Sequence, residues 1–152
     1  GWAVTDPAMA ADLWSRKDYT TISVGALSQV LAEIALSPGM RERLLERTRG
    51  ILRTNWPLLE RWLRERESVF RWTAPDAGAI AMVEYDLPID SLDLVERLRA
   101  DGDCLLVPGD HFRLPRTLRI GFGPHEDKLR DGLARMASVL DPIRESAMAA
   151  GR

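Results

Sequence analysis

Cysteine, histidine and lysine are almost missing from this chain of 152 residues, which holds one, two and two of them respectively. Cys104, His111 and His125 do not fall at the short spacings that hold zinc, so no metal centre is expected. A lone thiol closes no internal disulfide, and Cys104 sits in an apolar run, where an inert buried thiol is the plain reading. Lysine nucleophiles reduce to Lys17 and Lys128, set against 19 arginines. Gly-rich phosphate loops and a Gly-x-Ser-x-Gly elbow are absent. No apolar run approaches membrane-spanning length, and the first residues carry no basic-then-apolar pattern. The net charge of −2 gives no reason to expect nucleic acid or a membrane surface as partner.

Helix signals fill the first half. Asp6 before Pro7 is an N-cap followed by proline at the first helical position, and predicts a helix to about Ser15. Tyr19 to Ser23 is small, polar and aperiodic, a loop. A second helix is expected over 24–36, burying Leu27, Leu31 and Ile34, until Ser37-Pro38-Gly39 stops it. One long helix follows over 40–67, where Leu45, Leu52, Trp56, Leu59 and Leu63 share a stripe. Pro57 inside that run predicts a kink.

The second half alternates. Strands are predicted over 69–74, 79–87, 104–107 and 117–122, with Ala81, Val83 and Tyr85 on one face of the second. Asp90 or Ser91 caps a helix to about Ala100, and a final helix over 126–143 buries Leu129, Leu133, Met136 and Leu140. The tail from Ala147 is expected to fray. The pattern is α+β: a small sheet of about four strands, covered by helices and preceded by the long kinked helix.

One residue stands out against this pattern. Leu118-Arg119-Ile120-Gly121-Phe122 is an apolar strand with an arginine in its middle. An ion there is costly unless something anionic meets it or its head reaches water. The planar guanidinium matches a carboxylate through two parallel hydrogen bonds. Arg119 is thus either a buried anion site or an edge-strand arginine whose head is solvated.

The order of motifs supplies more. Pro75-Asp76-Ala77-Gly78, then the Pro108-Gly109-x-x-Phe112 turn, then Leu118-Arg119-Ile120-Gly121 and a last amphipathic helix resembles the C-terminal third of class I/II aminotransferases. These are pyridoxal-phosphate enzymes of fold type I. Gly1-Trp2-Ala3-Val4 looks like the end of the family's Arg-x-Gly-Trp strand. Thr20 to Ser23 and Ser28-Gln29 resemble the loop and helix that follow it. The resemblance implies a mainly antiparallel small-domain sheet. It also implies a boundary that leaves 1–38 as the end of the large cofactor-binding domain and 39–152 as the small domain.

What the resemblance implies for function is specific. Arg119 would grip the α-carboxylate of an amino-acid substrate. Gly78 would let backbone approach that substrate, or simply serve its turn. Phe112 would line the substrate entrance, or pack under its loop. Arg16, in an Arg-x-x-Tyr-Thr pattern, would reach the neighbouring subunit's substrate, or be a solvated helix-end arginine. His111 reads as a surface-loop histidine and His125 as local capping. The Schiff-base lysine and the phosphate-gripping arginine of the family lie upstream of Gly1, and neither Lys17 nor Lys128 matches them. The chain is therefore expected to bind no pyridoxal phosphate and catalyse nothing alone. Its parent is expected to be a cytoplasmic homodimer acting on amino-acid and 2-oxo-acid substrates. Elimination, decarboxylation or cyclisation on the same cofactor is the alternative chemistry, and a small non-catalytic binding or oligomerisation module is the alternative class.

Overall fold

The computed structural model of the protein describes residues 3–150. Gly1 and Trp2, with the Gly-Trp part of the resemblance, and Gly151 and Arg152 lie outside the described residues. Two compact units divide the chain between Glu46 and Arg47.

The first unit is helical. The Asp6 carboxylate accepts a hydrogen bond from the Met9 N–H at 2.9 Å and starts α1 (Pro7–Lys17), with proline in the first turn. A loop then leads to α2 (Ala26–Leu36), whose end is marked by the Ser37 hydroxyl donating to the Ile34 carbonyl at 2.7 Å. Neither helix buries a residue. Leu27, Leu31 and Ile34, predicted to face inward, are all half exposed or more, so the spacing names an apolar face that α2 does not bury within its own unit. The third helix, α3 (Pro38–Arg64), starts two residues before the predicted Met40. Proline lacks only an N–H that a first turn leaves unbonded anyway, so Pro38 opens α3 as it closes α2.

The second unit takes in the later part of α3 and all the strands. These are β1 (Phe70–Trp72), β2 (Ile80–Tyr85), β3 (Val107–Pro108) and β4 (Thr117–Gly121). Two further helices, α4 (Ser91–Gly102) and α5 (Glu126–Ala150), complete it. The sheet order is β1-β2-β4-β3 and every pairing is antiparallel. The chain crosses from β2 through α4 to β3, and β4 returns to fill the space between them. Alternation then sorts the side chains. Phe70, Ala81, Val83, Tyr85, Leu118 and Ile120 are buried on one sheet face. Leu59 and Leu63 of α3, Leu94 and Leu98 of α4, and Leu129, Leu133, Met136 and Leu140 of α5 join them in a single core. Each fully buried leucine contributes about 1.5–3 kcal/mol of hydrophobic burial. The fold is the α+β arrangement read from the sequence, with the helices of this unit gathered on one sheet face.

Polar details pin this core. Asn55 is 1 % exposed, and its amide donates to the carbonyls of Phe122 and Pro124 at 2.8 and 2.7 Å, tying α3 to the end of β4. Arg66 donates to both carboxylate oxygens of Asp141 at 3.0 Å and lies over the Trp62 ring, 4.5 Å from its centroid. The helical run of α3 continues through Pro57.

Among the boundaries that differ from expectation, two have a local cause. The third strand begins at Val107 rather than Cys104. Asp103 takes the left-handed conformation, φ 49°, as the cap of α4, and Leu105 is 86 % exposed, so the apolar run leaves the helix outside the ladder. The last helix continues to Ala150 instead of fraying from Ala147, in keeping with the high helix propensity of alanine.

Candidate functional site

Arg119 stands at the centre of β4, and β4 is an interior strand, so an edge-strand explanation does not apply. Its cross-strand partners are Met82 of β2 and Val107 of β3. Partners share a sheet face, and Leu118 and Ile120 on either side of Arg119 face the core, so Arg119 lies on the opposite, free face. It is partly buried there. Among the described residues its side chain has no hydrogen-bond or ion-pair partner. Arg66 shows what a purely structural arginine looks like in this unit. It is 11 % exposed, with its carboxylate held by two bonds and an aromatic ring beneath it.

The turn before β4 is tightly built. A Cβ at Gly109 would meet the Leu114 carbonyl oxygen at 2.2 Å and the Thr117 Cβ at 2.6 Å, so only glycine fits where the turn closes on the strand. The hydroxyl of Ser91, fully buried at the start of α4, bonds to the Asp110 carboxylate and holds the turn against that helix. This 3-10 turn, Gly109–Phe112, carries Phe112 half-exposed and outside the core. At the other end of the pairing, Gly78 takes φ +82°, a conformation that favours glycine, with nothing within 4 Å of a would-be Cβ. Ile80 pairs with Gly121 and Glu84 with Thr117. The Gly78 turn therefore lies beyond the Gly121 end of β4, whereas the turn bearing Phe112 feeds the Thr117 end. Arg119 sits midway between two turns that the register keeps apart.

Sequence periodicity picked out the buried side of β2 and passed over its other side. Ile80, Met82 and Glu84 share the free face with Arg119, and strict alternation would have found them. An open groove of about 480 Å³ runs over this side of β1 and β2, lined by Arg71, Trp72, Pro75, Met82, Glu84 and Leu114 among others. Tyr85, on the core side, donates its hydroxyl to the Ile89 carbonyl at 3.1 Å. Burial first, then the Asp90 and Asp110 charges, push its phenol up to about 12.

The remaining candidates stand elsewhere. Arg16 pairs with Asp12 at 3.0 Å on the exposed surface of α1. His111 is exposed on the 3-10 turn, and the His125 carbonyl accepts the Leu129 N–H at the start of α5. Cys104 is buried, with its thiol directed to the Gly102 and Gly132 carbonyls, and burial raises its pKa, as suits an inert thiol. Among the described residues no cluster of three or more metal-ligating side chains occurs. Among the same residues no helix is long and apolar enough to cross a membrane.

The lysines test whether pyridoxal phosphate fits. Lys17 donates to the Thr21 hydroxyl at 2.6 Å in an exposed part of the first unit. Lys128 borders a cavity of about 200 Å³ beside Cys104, Leu105 and Leu129. The arginine there, Arg135, is already held by Asp103 and Asp131 and is not free for a phosphate. These residues do not compose a site for that cofactor.

Comparison with known proteins bears on this geometry. No family model matches the chain. Capreomycidine synthase from Streptomyces vinaceus is 29 % identical over 143 residues, which is 92 % of this chain and 36 % of the synthase. The crystal structure of a PLP-dependent aminotransferase from Streptococcus suis superposes with a TM-score of 0.80 at 27 % identity, over 94 % of this chain and 37 % of that one. A PLP-dependent cyclase, OrfR, superposes with a TM-score of 0.73 at 28 % identity, over 96 % and 39 %. The chain thus spans well under half the length of the proteins it matches. In sequence and in fold it is similar to the C-terminal portion of fold-type-I pyridoxal-phosphate-dependent enzymes.

Proposed function

We propose that this chain works as the C-terminal part of a longer PLP-dependent aminotransferase, in which Arg119 holds the α-carboxylate of the amino-acid substrate. On this reading residues 1–38 close the large domain, 39–152 form the small domain, and the cofactor belongs to the large domain upstream. One observation carries the reading. An arginine that is partly buried and, among the described residues, unpaired stands in a central strand, on the sheet face opposite the core. A group that must receive an anionic ligand is left unpaired until that ligand arrives. Gly78 and Phe112 would border the approach from its two ends. The parent would be a cytoplasmic homodimer, and Arg16 would exchange Asp12 for a ligand on the neighbouring subunit.

The decisive experiment is Arg119→Lys in the longer protein. The charge stays but the two-pronged fork is lost. Amino-acid affinity is expected to fall by about 1.5–3 kcal/mol, the range for a charge-assisted hydrogen bond, with cofactor binding near normal. Unchanged amino-acid affinity would overturn the reading. The chain alone, mixed with pyridoxal phosphate and borohydride, is expected to show no stoichiometric labelling at Lys17 or Lys128.

A cyclising enzyme is the second reading, supported by the likeness to a synthase and a cyclase. Release of a 2-oxo acid from the amino-acid substrate separates the two: a transaminase releases it and a cyclase does not. A non-catalytic module would bind amino-acid carboxylates no better than the Arg119→Lys variant does.

A further inference from the structure

On the free face of the sheet Arg119 has four nearest neighbours. Met82 and Val107 stand across from it on the two flanking strands, and Thr117 and Gly121 stand two residues away along β4. Three of the four places are filled. Met82 and Val107 present apolar side chains, both partly buried. Thr117 is 3 % exposed, closed in by the Gly109 turn. The fourth is vacant: a Cβ at Gly121 would meet nothing nearer than the Ala79 carbonyl oxygen, at 4.0 Å. Ile80 faces Gly121 across the strand pair and is 40 % exposed. On its other side the β3 ladder stops at Val107, opposite Arg119.

Resting on the reading of Arg119 as a carboxylate anchor, we infer that the ligand extends from Arg119 over Gly121, where the missing side chain and the Ile80 wall set how bulky its body can be. The carboxylate meets the guanidinium. The carbon skeleton behind it then needs room on the same face, which the absent side chain of Gly121 leaves beside Ile80. The wall met there is aliphatic, so the ligand class is an amino acid or oxo acid whose carbon adjacent to the carboxylate-bearing centre is apolar. Gly121 is a specificity-determining position and touches no reacting atom.

The test uses the nitrogen-15-labelled chain, titrated with two probes, acetate and 4-methylpentanoate, and followed by its amide and arginine resonances. Both probes are expected to move the Arg119 side-chain signal. The larger one should also move the amides of Gly121 and Ile80 while leaving Val107 and Thr117 in place. Gly121→Val should weaken 4-methylpentanoate about tenfold, the usual scale for filling a site with extra methyl groups, and barely change acetate. Arg119→Lys should weaken both probes alike. Shifts centred on Val107 and Thr117, or equal effects of Gly121→Val on both probes, would overturn the inference and leave the anchor standing. Probes that bind as well to Arg119→Lys, or that shift nothing at saturating concentration, would overturn the anchor itself. If Gly121→Val fails to fold, the shift map of the unaltered chain and the milder Gly121→Ala decide the matter.

Discussion

The two units of this chain are built from similar proportions of apolar residues and reach opposite outcomes. In the second, apolar stripes from three helices meet one sheet face, and leucines on α3, α4 and β4 are sealed completely. In the first, α1 and α2 carry stripes of the same quality and bury nothing. Trp14 is 66 % exposed and Leu27 73 %. Amphipathic spacing specifies which face wants cover; it does not supply the cover. Helices of 11 residues are marginal alone in water, so α1 and α2 depend on whatever comes to lie on them. Surfaces of this kind rarely stay bare on a monomer, which leaves association with another copy as the expected state of the chain by itself.

The comparison can be broken at several points. The largest expected effect is on the second unit. Phe122 is 1 % exposed and packs on Trp56 with ring centroids 5.5 Å apart, so Phe122→Ala should cost about 3–5 kcal/mol in denaturant unfolding. A loss under ~1 kcal/mol would mean that this core is far looser than its burial indicates. Next comes Asn55→Ala, which strands the Phe122 and Pro124 carbonyls and should cost about 1–3 kcal/mol.

A smaller effect appears in alkali. The Tyr85 phenol titrates near 12 when folded and near 10 when free, so folding favours its neutral form. The stabilisation is complete below the unfolded value and is lost as pH rises from about 10 to 12. Stability of the second unit should fall across that window, and Tyr85→Phe should flatten the profile there. An unchanged slope in the variant would assign the alkaline loss to other groups.

The smallest stability effect belongs to the first unit. Leu31→Ala on α2 should shift unfolding by no more than about 0.5 kcal/mol in a monomer, because the residue is already 57 % exposed. The same substitution combined with Leu27→Ala should nonetheless reduce self-association in sedimentation. A chain that sediments as a clean monomer at high concentration, with or without the pair, would remove the need for any cover.

Much of this was legible in the residues. Alternation in 80–85 and 118–122 and the leucine stripe of α5 fix which sides meet, because a core accepts only one face of each element. Asp6-Pro7 and Asp90-Ser91 announce helix starts through cap chemistry that needs no tertiary context. The third strand was misplaced because Cys104-Leu105-Leu106 is as apolar as a paired strand, and only the left-handed Asp103 turns it away. The charge itself was legible at Arg119, where an ion interrupts an apolar run. Its cross-strand neighbours were not, since Met82 and Val107 come to stand opposite it only through the strand register.

The brevity of the outer strands carries one further consequence. The sheet ends in β1 with three residues on one side and β3 with two on the other. Such short borders offer too few free amide and carbonyl groups in line to template a strand from another molecule. A crowded solution of this chain should therefore gather through its bare helices, reversibly and without ordered fibrils, and a dye that reports cross-strand stacking should stay dark while scattering rises.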